Sequence, residues 1–436
     1  MIRVICLLCF ILLLSTISAC QDSHKIDPNR DQIDSTFTLD NKTKDDASEI
    51  DSFQKGDEDT VFPLEKDLAI LIPHYRAIYP ILSIFPVQWL DAVDDALFLS
   101  DMKQRMSEEN KPEDWSLVSL RISPCSPLGT IADPEEIDRI CWPEIRLVLQ
   151  PIVQLRNTSG HTILFPEDRA IHALYRVEPH HPILEQVVQL AQQNFRLAEI
   201  DHELLSEFEH LRDEVSMRML EAVRKLRGTK DRYQNISERP EFFDAQLEEI
   251  FWDALTTHIL EPYCHFESLH HLTAMSLPLG RAPVPLDLWS FVAFNASHGV
   301  LEQVAIEIVD QNSGEVFFSF KDIGKNSEDV TAARADATLL DHFSKFDPYI
   351  QDQLTEQSIL DQTQIRNHAA RIVDPYQTLV KHTTCSSCHR FNSNPFNFHN
   401  LSYFVNQQMT VSPRVEADVK RDLNWTQLLI ERLKTP

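Results

Sequence analysis

From residue 61 onward the chain alternates between stretches whose apolar positions recur every second residue and stretches where they recur every third or fourth. Period two marks strands and the longer period marks helices. "WSLVSLRI" (115–122), "IRLVLQPIV" (145–153) and "HALYRV" (172–177) predict strands. Leu204, Phe208, Leu211, Val215, Met219, Val223 and Leu226 predict one long helix that Gly228 ends, with His202 and His210 off its apolar stripe as solvated residues. A second helix is expected behind Pro240, burying Phe243, Leu247, Ile250, Phe251, Ala254, Leu255 and Ile259 and closed by Pro262. The period then returns to two. "DLWSFVAF" (287–294), "LEQVAIEIV" (301–309) and "EVFFSF" (315–320), joined by His298-Gly299 and by Asp310 to Gly314, predict an antiparallel meander. Near the end "RVEADVKRDLNWTQLLIERL" (414–433) predicts a closing helix, with Val415, Val419, Leu423 and Leu428 as its apolar positions. The expected fold class is therefore α+β, and no fixed-period repeat interrupts it.

Ahead of this patterned region lie two stretches of different character. Residues 21–60 are polar and acid-rich with almost no large apolar side chains, too few to offset the entropy of ordering, and are expected to be a disordered tether. Before them, "MIRVICLLCFILLLSTISAC" places Arg3 ahead of an apolar run from Val4 to Leu14 and then small residues, the layout of an export signal. That run is too short to span a bilayer. "ISAC" at Ile17 to Cys20 resembles the lipobox of bacterial lipoproteins. The resemblance implies cleavage of a signal peptide, residues 1–19, and a lipid anchor on Cys20. Gln21 after it is compatible with sorting to the outer rather than the inner membrane. Cleavage after Ala19 without lipidation is the simpler alternative.

Composition narrows the partners. The formal charge of -27 in 436 residues disfavours nucleic acid and anionic lipid, both of which would be repelled. It would steer a basic redox partner, although an acidic surface also serves solubility alone. Hydrophobic residues make up 43% of the chain, enough for one large or two ordinary domains plus a tail. With 8 glycines there is no phosphate-cradling loop. Of the 8 cysteines, Cys6 and Cys9 fall in the signal and Cys20 is the lipid site. Cys125 and Cys141 flank a proline-containing loop and are candidates for a disulfide in an oxidising envelope. Cys264 would then be unpaired, beside His265, His270 and His271, and reads either as a buried thiol or as part of a metal cluster.

"TTCSSCHRF" (383–391) carries the sharpest chemistry. With 8 Cys and 18 His, ~0.006 accidental Cys-x-x-Cys-His matches are expected, so chance is a poor explanation. Residues 366–436 resemble the haem module of bacterial c-type cytochromes on this motif. The resemblance implies a small all-α module holding one covalent haem c, with Cys385 and Cys388 bonded to its vinyl groups and His389 as the proximal iron ligand. Met409 is the candidate sixth ligand, with His399 and His382 as competitors. Phe391, Phe396, Phe398, Tyr403 and Phe404 are apolar enough to form a pocket wall, or to pack the module on the body. The chain is thus expected to be an electron carrier facing the periplasm or exterior rather than a catalyst. A peroxidase-like enzyme with an open sixth site is one alternative. A binding or sensory lipoprotein, whose work is done by a body spanning residues 61–365, is another. A zinc knuckle of Cys385, Cys388, His389 and His399 is the metal alternative. Oligomeric state is not legible.

Overall fold

The computed structural model describes residues 63, 65–72, 85–97, 115–128, 137–156, 160, 162–166, 169–192, 200–226, 236, 239–276, 290–297, 300–303, 306–310, 316–319, 322–323, 331–333, 370, 373–376, 401–403 and 409–434. Among them the fold is mixed α+β, and every strand pairing is antiparallel.

The first elements are a helical turn α1 (Glu65–Leu68), strand β1 (Ala69–Leu71) and helix α2 (Val87–Leu97). Two long strands follow, β2 (Trp115–Pro127) and β3 (Cys141–Arg156), then β4 (Thr162–Pro166) and β5 (Arg169–Arg176). After helices α3 (Pro182–Gln192), α4 (His202–Arg224) and α5 (Ala245–Leu255) come β6 (Leu269–Ser276), β7 (Ser290–Ser297), β8 (Val300–Gln303), β9 (Ile306–Asp310), β10 (Val316–Ser319), β11 (Asp322–Ile323) and β12 (Thr331–Ala333). The chain closes with β13 (Leu401–Tyr403), β14 (Met409–Val411) and helix α6 (Pro413–Lys434). The main sheet runs β1-β2-β3-β5-β6-β7-β11, with β4 added to the far end of β3 and β8 to β7.

Alternation along these strands makes two different faces. Leu120, Leu147, Ala173, Leu272 and Phe294 stand in register across five strands and are all buried. One residue along, the row reads Arg121, Arg146, Leu174, His271 and Asn295. A strand period of two sends these rows to opposite faces, one apolar and one largely polar. Helix α4 packs on β3 and β2, as its Phe208 meets Trp142 at 5.5 Å. Asp201 caps it, accepting from the N–H groups of Glu203 (2.9 Å) and Leu204 (3.2 Å). The expected stripe is found there, and His202 and His210 are exposed.

Other expectations need correction. The meander over 287–320 divides: β7 and β8 pair in the main sheet, whereas β9 pairs with β10 and β12 in a separate three-stranded sheet. The run at 301–309 is thus two strands rather than one, because β8 and β9 bond to different neighbours. "CHFESLHH" opens a central strand, β6, which period reasoning did not identify. Behind Pro240, Phe242 is buried in place of Phe243, which is 60% exposed, and Ile250 is 50% exposed. A short 3₁₀ turn (Pro240–Phe243) followed by Asp244 in extended conformation offsets the stripe before α5 begins. Pro262 does not close this helix. The Glu261 N–H bonds to the Thr256 carbonyl in a π turn (Thr256–Leu260), so the hydrogen-bond ladder has already changed register where the proline, with no N–H to donate, enters the turn Glu261–Tyr263. No helix among the described residues is long and apolar enough to cross a membrane.

Of residues 366–436, helix α6 lies where expected, and its Val415, Val419, Trp425 and Leu429 join the same apolar core as the sheet. Leu428 points outward, 58% exposed, because Leu429 takes the inward position one residue on. Residues 401–411, within the module expected to be all-α, contain the hairpin β13/β14.

Candidate haem-attachment segment

Cys20, His382, Cys385, Cys388, His389 and His399 lie outside the described residues, as do Phe391, Phe396, Phe398 and Phe404. Met409 begins β14 and is paired across the hairpin with Tyr403. What the structure places is the pair of flanks between which the motif runs. Tyr376 stands nine positions before Cys385, and Leu401 twelve after His389.

Upstream, Asp374 organises a turn by accepting from the Tyr376 N–H at 2.9 Å. The Tyr376 hydroxyl donates to Asp138 Oδ2 at 3.5 Å, and Arg414 Nη1 donates to the Asp374 carbonyl at 3.5 Å. Burial raises the phenol's pKa, with the Asp138 carboxylate adding to the effect. Burial also raises that of Asp138, against the attraction of Arg421. Downstream, the hairpin runs into Ser412, whose hydroxyl caps α6 by accepting from the Arg414 N–H at 3.1 Å.

Both flanks meet the body beside one closed turn. Cys125 near the end of β2 and Cys141 at the start of β3 are joined in a disulfide, their Cα atoms 4.9 Å apart. Asp138 sits in the turn that this bridge closes. Its carbonyl accepts from Trp425 Nε1 of α6 at 3.1 Å and from Arg212 Nη1 of α4 at 3.3 Å, and the Arg212 guanidinium lies over the Trp425 ring at 5.4 Å.

Beneath the turn, α6 carries charge into the interior. Asp418 and Asp422 receive Arg121 of β2 at 2.9 and 3.0 Å, and Ser123 donates to Asp422 at 2.8 Å. Arg421 bonds to Asp422 at 2.9 Å and to the Cys125 carbonyl at 3.2 Å, while Arg414 bonds to Asp418 at 3.2 Å. Burial alone would raise the Asp418 pKa, but Arg414, Arg121 and Arg421 outweigh it and hold the carboxyl well below its usual range. The converse holds for Arg421: burial would lower its pKa, and Asp422 and Asp418 keep it raised. Three guanidiniums thus face two carboxylates, with Asp138 nearby as the third negative charge. The set is a charge-compensated clamp that fixes α6 on β2.

The reading of Cys264 and its histidines as one cluster finds them apart. Cys264 is buried, and burial raises its thiol pKa far above the ordinary range. His265 is exposed. His270 Nε2 lies 2.9 Å from Glu144 Oε1, and His271 Nδ1 lies 3.3 Å from Asn295 Oδ1. His270 is pushed down to about 4, by burial first and then by Arg176, against the opposing pull of Glu144. Among the described residues no group of three or more His, Cys, Asp or Glu side chains is arranged to hold a metal ion.

Sequence reasoning missed the buried charges of α6. Arg414, Asp418, Arg421 and Asp422 recur at steps of four, three and one, the period that also marked Val415 and Val419, and the signal was passed over because charges on a helix usually face water. No protein-family model, no curated protein and no solved structure matches the chain.

Proposed function

We propose that the protein is a lipid-anchored, monohaem c-type cytochrome that passes single electrons within the bacterial cell envelope. The observation that carries this reading is Cys385-Ser-Ser-Cys388-His389 in a chain that opens with an export signal and a lipobox-like cysteine. The donor set fits the group: two thiols two residues apart match two vinyl substituents, and the adjoining imidazole suits iron. Bound haem c would supply an Fe(III)/Fe(II) couple. Cys385 and Cys388 would tether it, His389 would ligate from one side, and Met409, or in its place His399, from the other. The Cys125–Cys141 bridge supports the same compartment, since structural disulfides belong to oxidising environments.

Carbon monoxide tests the carrier role. The reduced protein is expected not to bind it, and the Met409→Ala variant is expected to bind it rapidly. Rapid binding by the parent protein would mean an open iron site and would favour a peroxidase-like or sensory role instead.

A further inference from the structure

Helix α5 buries one side and leaves large apolar side chains of the other exposed. Phe251, Leu255 and, in the π turn, Ile259 face the core, where Phe242 stacks on Phe251 at 5.3 Å and Arg239 lies over the Phe251 ring at 4.6 Å. The outer side keeps large apolar side chains as well. Ile250 stands one position, about 100° round the helix, from buried Phe251, bordered by half-buried Leu247 and by Ala254, which packs against the core. Phe243 immediately precedes the Asp244 cap. Phe243 is 60% exposed and Ile250 50%, so two large side chains stand in water on a helix whose inward positions are already filled.

Along the segment itself the charged side chains are of one sign. Asp244, Glu249, Asp253 and Glu261 are exposed and Glu248 is half-buried around this stripe. No lysine or arginine occurs from Pro240 to Cys264. Glu249 and Asp253 each lie one position from an apolar stripe residue, about 100° round the helix, and so form its rim.

We propose that this outer side of α5 is a docking face for a protein that presents lysines or arginines around an apolar centre. Charge selects that occupant. A second copy of this chain would bring two acidic rims together, and an anionic lipid surface would be repelled by the same carboxylates and by the net charge of -27. A cationic partner is attracted by the rim and can cover Phe243 and Ile250 with its apolar centre, the usual division between polar rim and buried anchor. The proposal is independent of the haem reading, and neither falls with the other.

The test measures binding of a labelled synthetic helix, leucines on one face and lysines flanking them, to the full-length protein. Phe243→Ser/Ile250→Ser and Glu249→Lys/Asp253→Lys are each expected to weaken binding about tenfold or more, with thermal unfolding unchanged because all four positions are exposed. Val300→Ser, at a 67% exposed apolar position elsewhere, is expected to leave binding unchanged. The proposal is overturned if the probe does not bind or if either double variant binds like the parent. It is also overturned if oligolysine without leucine competes equally well. A dimer in sedimentation that the serine variant disperses would assign the face to self-association. Vesicles of phosphatidylglycerol held through Phe243 and Ile250 would assign it to lipid; either result contradicts the proposal.

Discussion

Asp422 has no exposed side-chain surface and answers Arg121, Arg421 and Ser123 at once. Removing one member of such a buried set leaves the others charged without a partner, which costs far more than the set contributes over an apolar replacement. Asp422→Asn is therefore expected to cost roughly 3–5 kcal/mol in urea unfolding. Arg218 offers the contrast, because it pairs with Glu178 and Glu214 but stands in water on α4. Arg218→Ala is expected to cost under about 1 kcal/mol. His270 adds a pH dependence. Its imidazole stays neutral in the fold down to about 4, while the unfolded chain takes up a proton near 6.5. Unfolding thus gains a proton as pH falls through that window, and stability decreases with it, by on the order of 3 kcal/mol at the acid end. The His270→Gln variant keeps a donor toward Glu144 and is expected to lose less stability than the parent between pH 7 and pH 4.5. An identical loss in both proteins would remove His270 as the cause. The buried aspartate leaves a trace in its helical spacing beside Val415 and Val419, whereas the depressed histidine is not legible in sequence, because it depends on which strand residue faces it.

At the scale of elements, the long helices were legible and their edges were not. The α4 stripe from Leu204 to Leu226 is the one its spacing announces, whereas at α5 a 3₁₀ turn and one extended residue shift the phase and exchange Phe243 for Phe242. Strand β6 was hidden because adjacent His270 and His271 break its alternation, a break the sheet absorbs in a bulge where His271 pairs with Leu174 and Leu269 with Tyr175. The division between β8 and β9 was equally hidden, since period two says that a segment is a strand but not which sheet it joins. The proximity of Cys125 and Cys141 was readable from the loop between two predicted strands. Their bridge closes a loop with a sequence separation of 16, for which chain entropy gives about 3 kcal/mol. Cys125→Ala/Cys141→Ala is expected to lose about that much in chemical unfolding, and to loosen Tyr376 and Trp425, both of which bond to Asp138 inside the loop. Faster proteolysis near residue 376 in this variant would report the loosening; an unchanged cleavage rate would separate the bridge from the flank.

For the whole molecule, sequence and structure speak to different parts. The proposed roles of residues 385–389 and of the N-terminal segment rest on sequence alone, on a fixed short spacing and on composition, and both lie outside the described residues. The body's architecture rests instead on pairings between residues far apart, such as Arg121 with Asp418, which no local pattern announces. Where the two meet, α6 shares the core of the sheet and carries the hairpin with Met409 at its entrance. A haem held on that segment would therefore be coupled to the stability of the body, and Asp422→Asn is expected to lower the temperature at which the haem's axial ligation, followed in the visible spectrum, is lost along with the fold. The most direct measurement is made on the full-length protein purified from a cell that exports it: the visible spectrum before and after extraction with acidified acetone. The account predicts a Soret band whose pigment stays with the polypeptide, and whose covalent hold is lost in Cys385→Ser/Cys388→Ser. Protein without a Soret band, or pigment that passes entirely into the acetone, would contradict it.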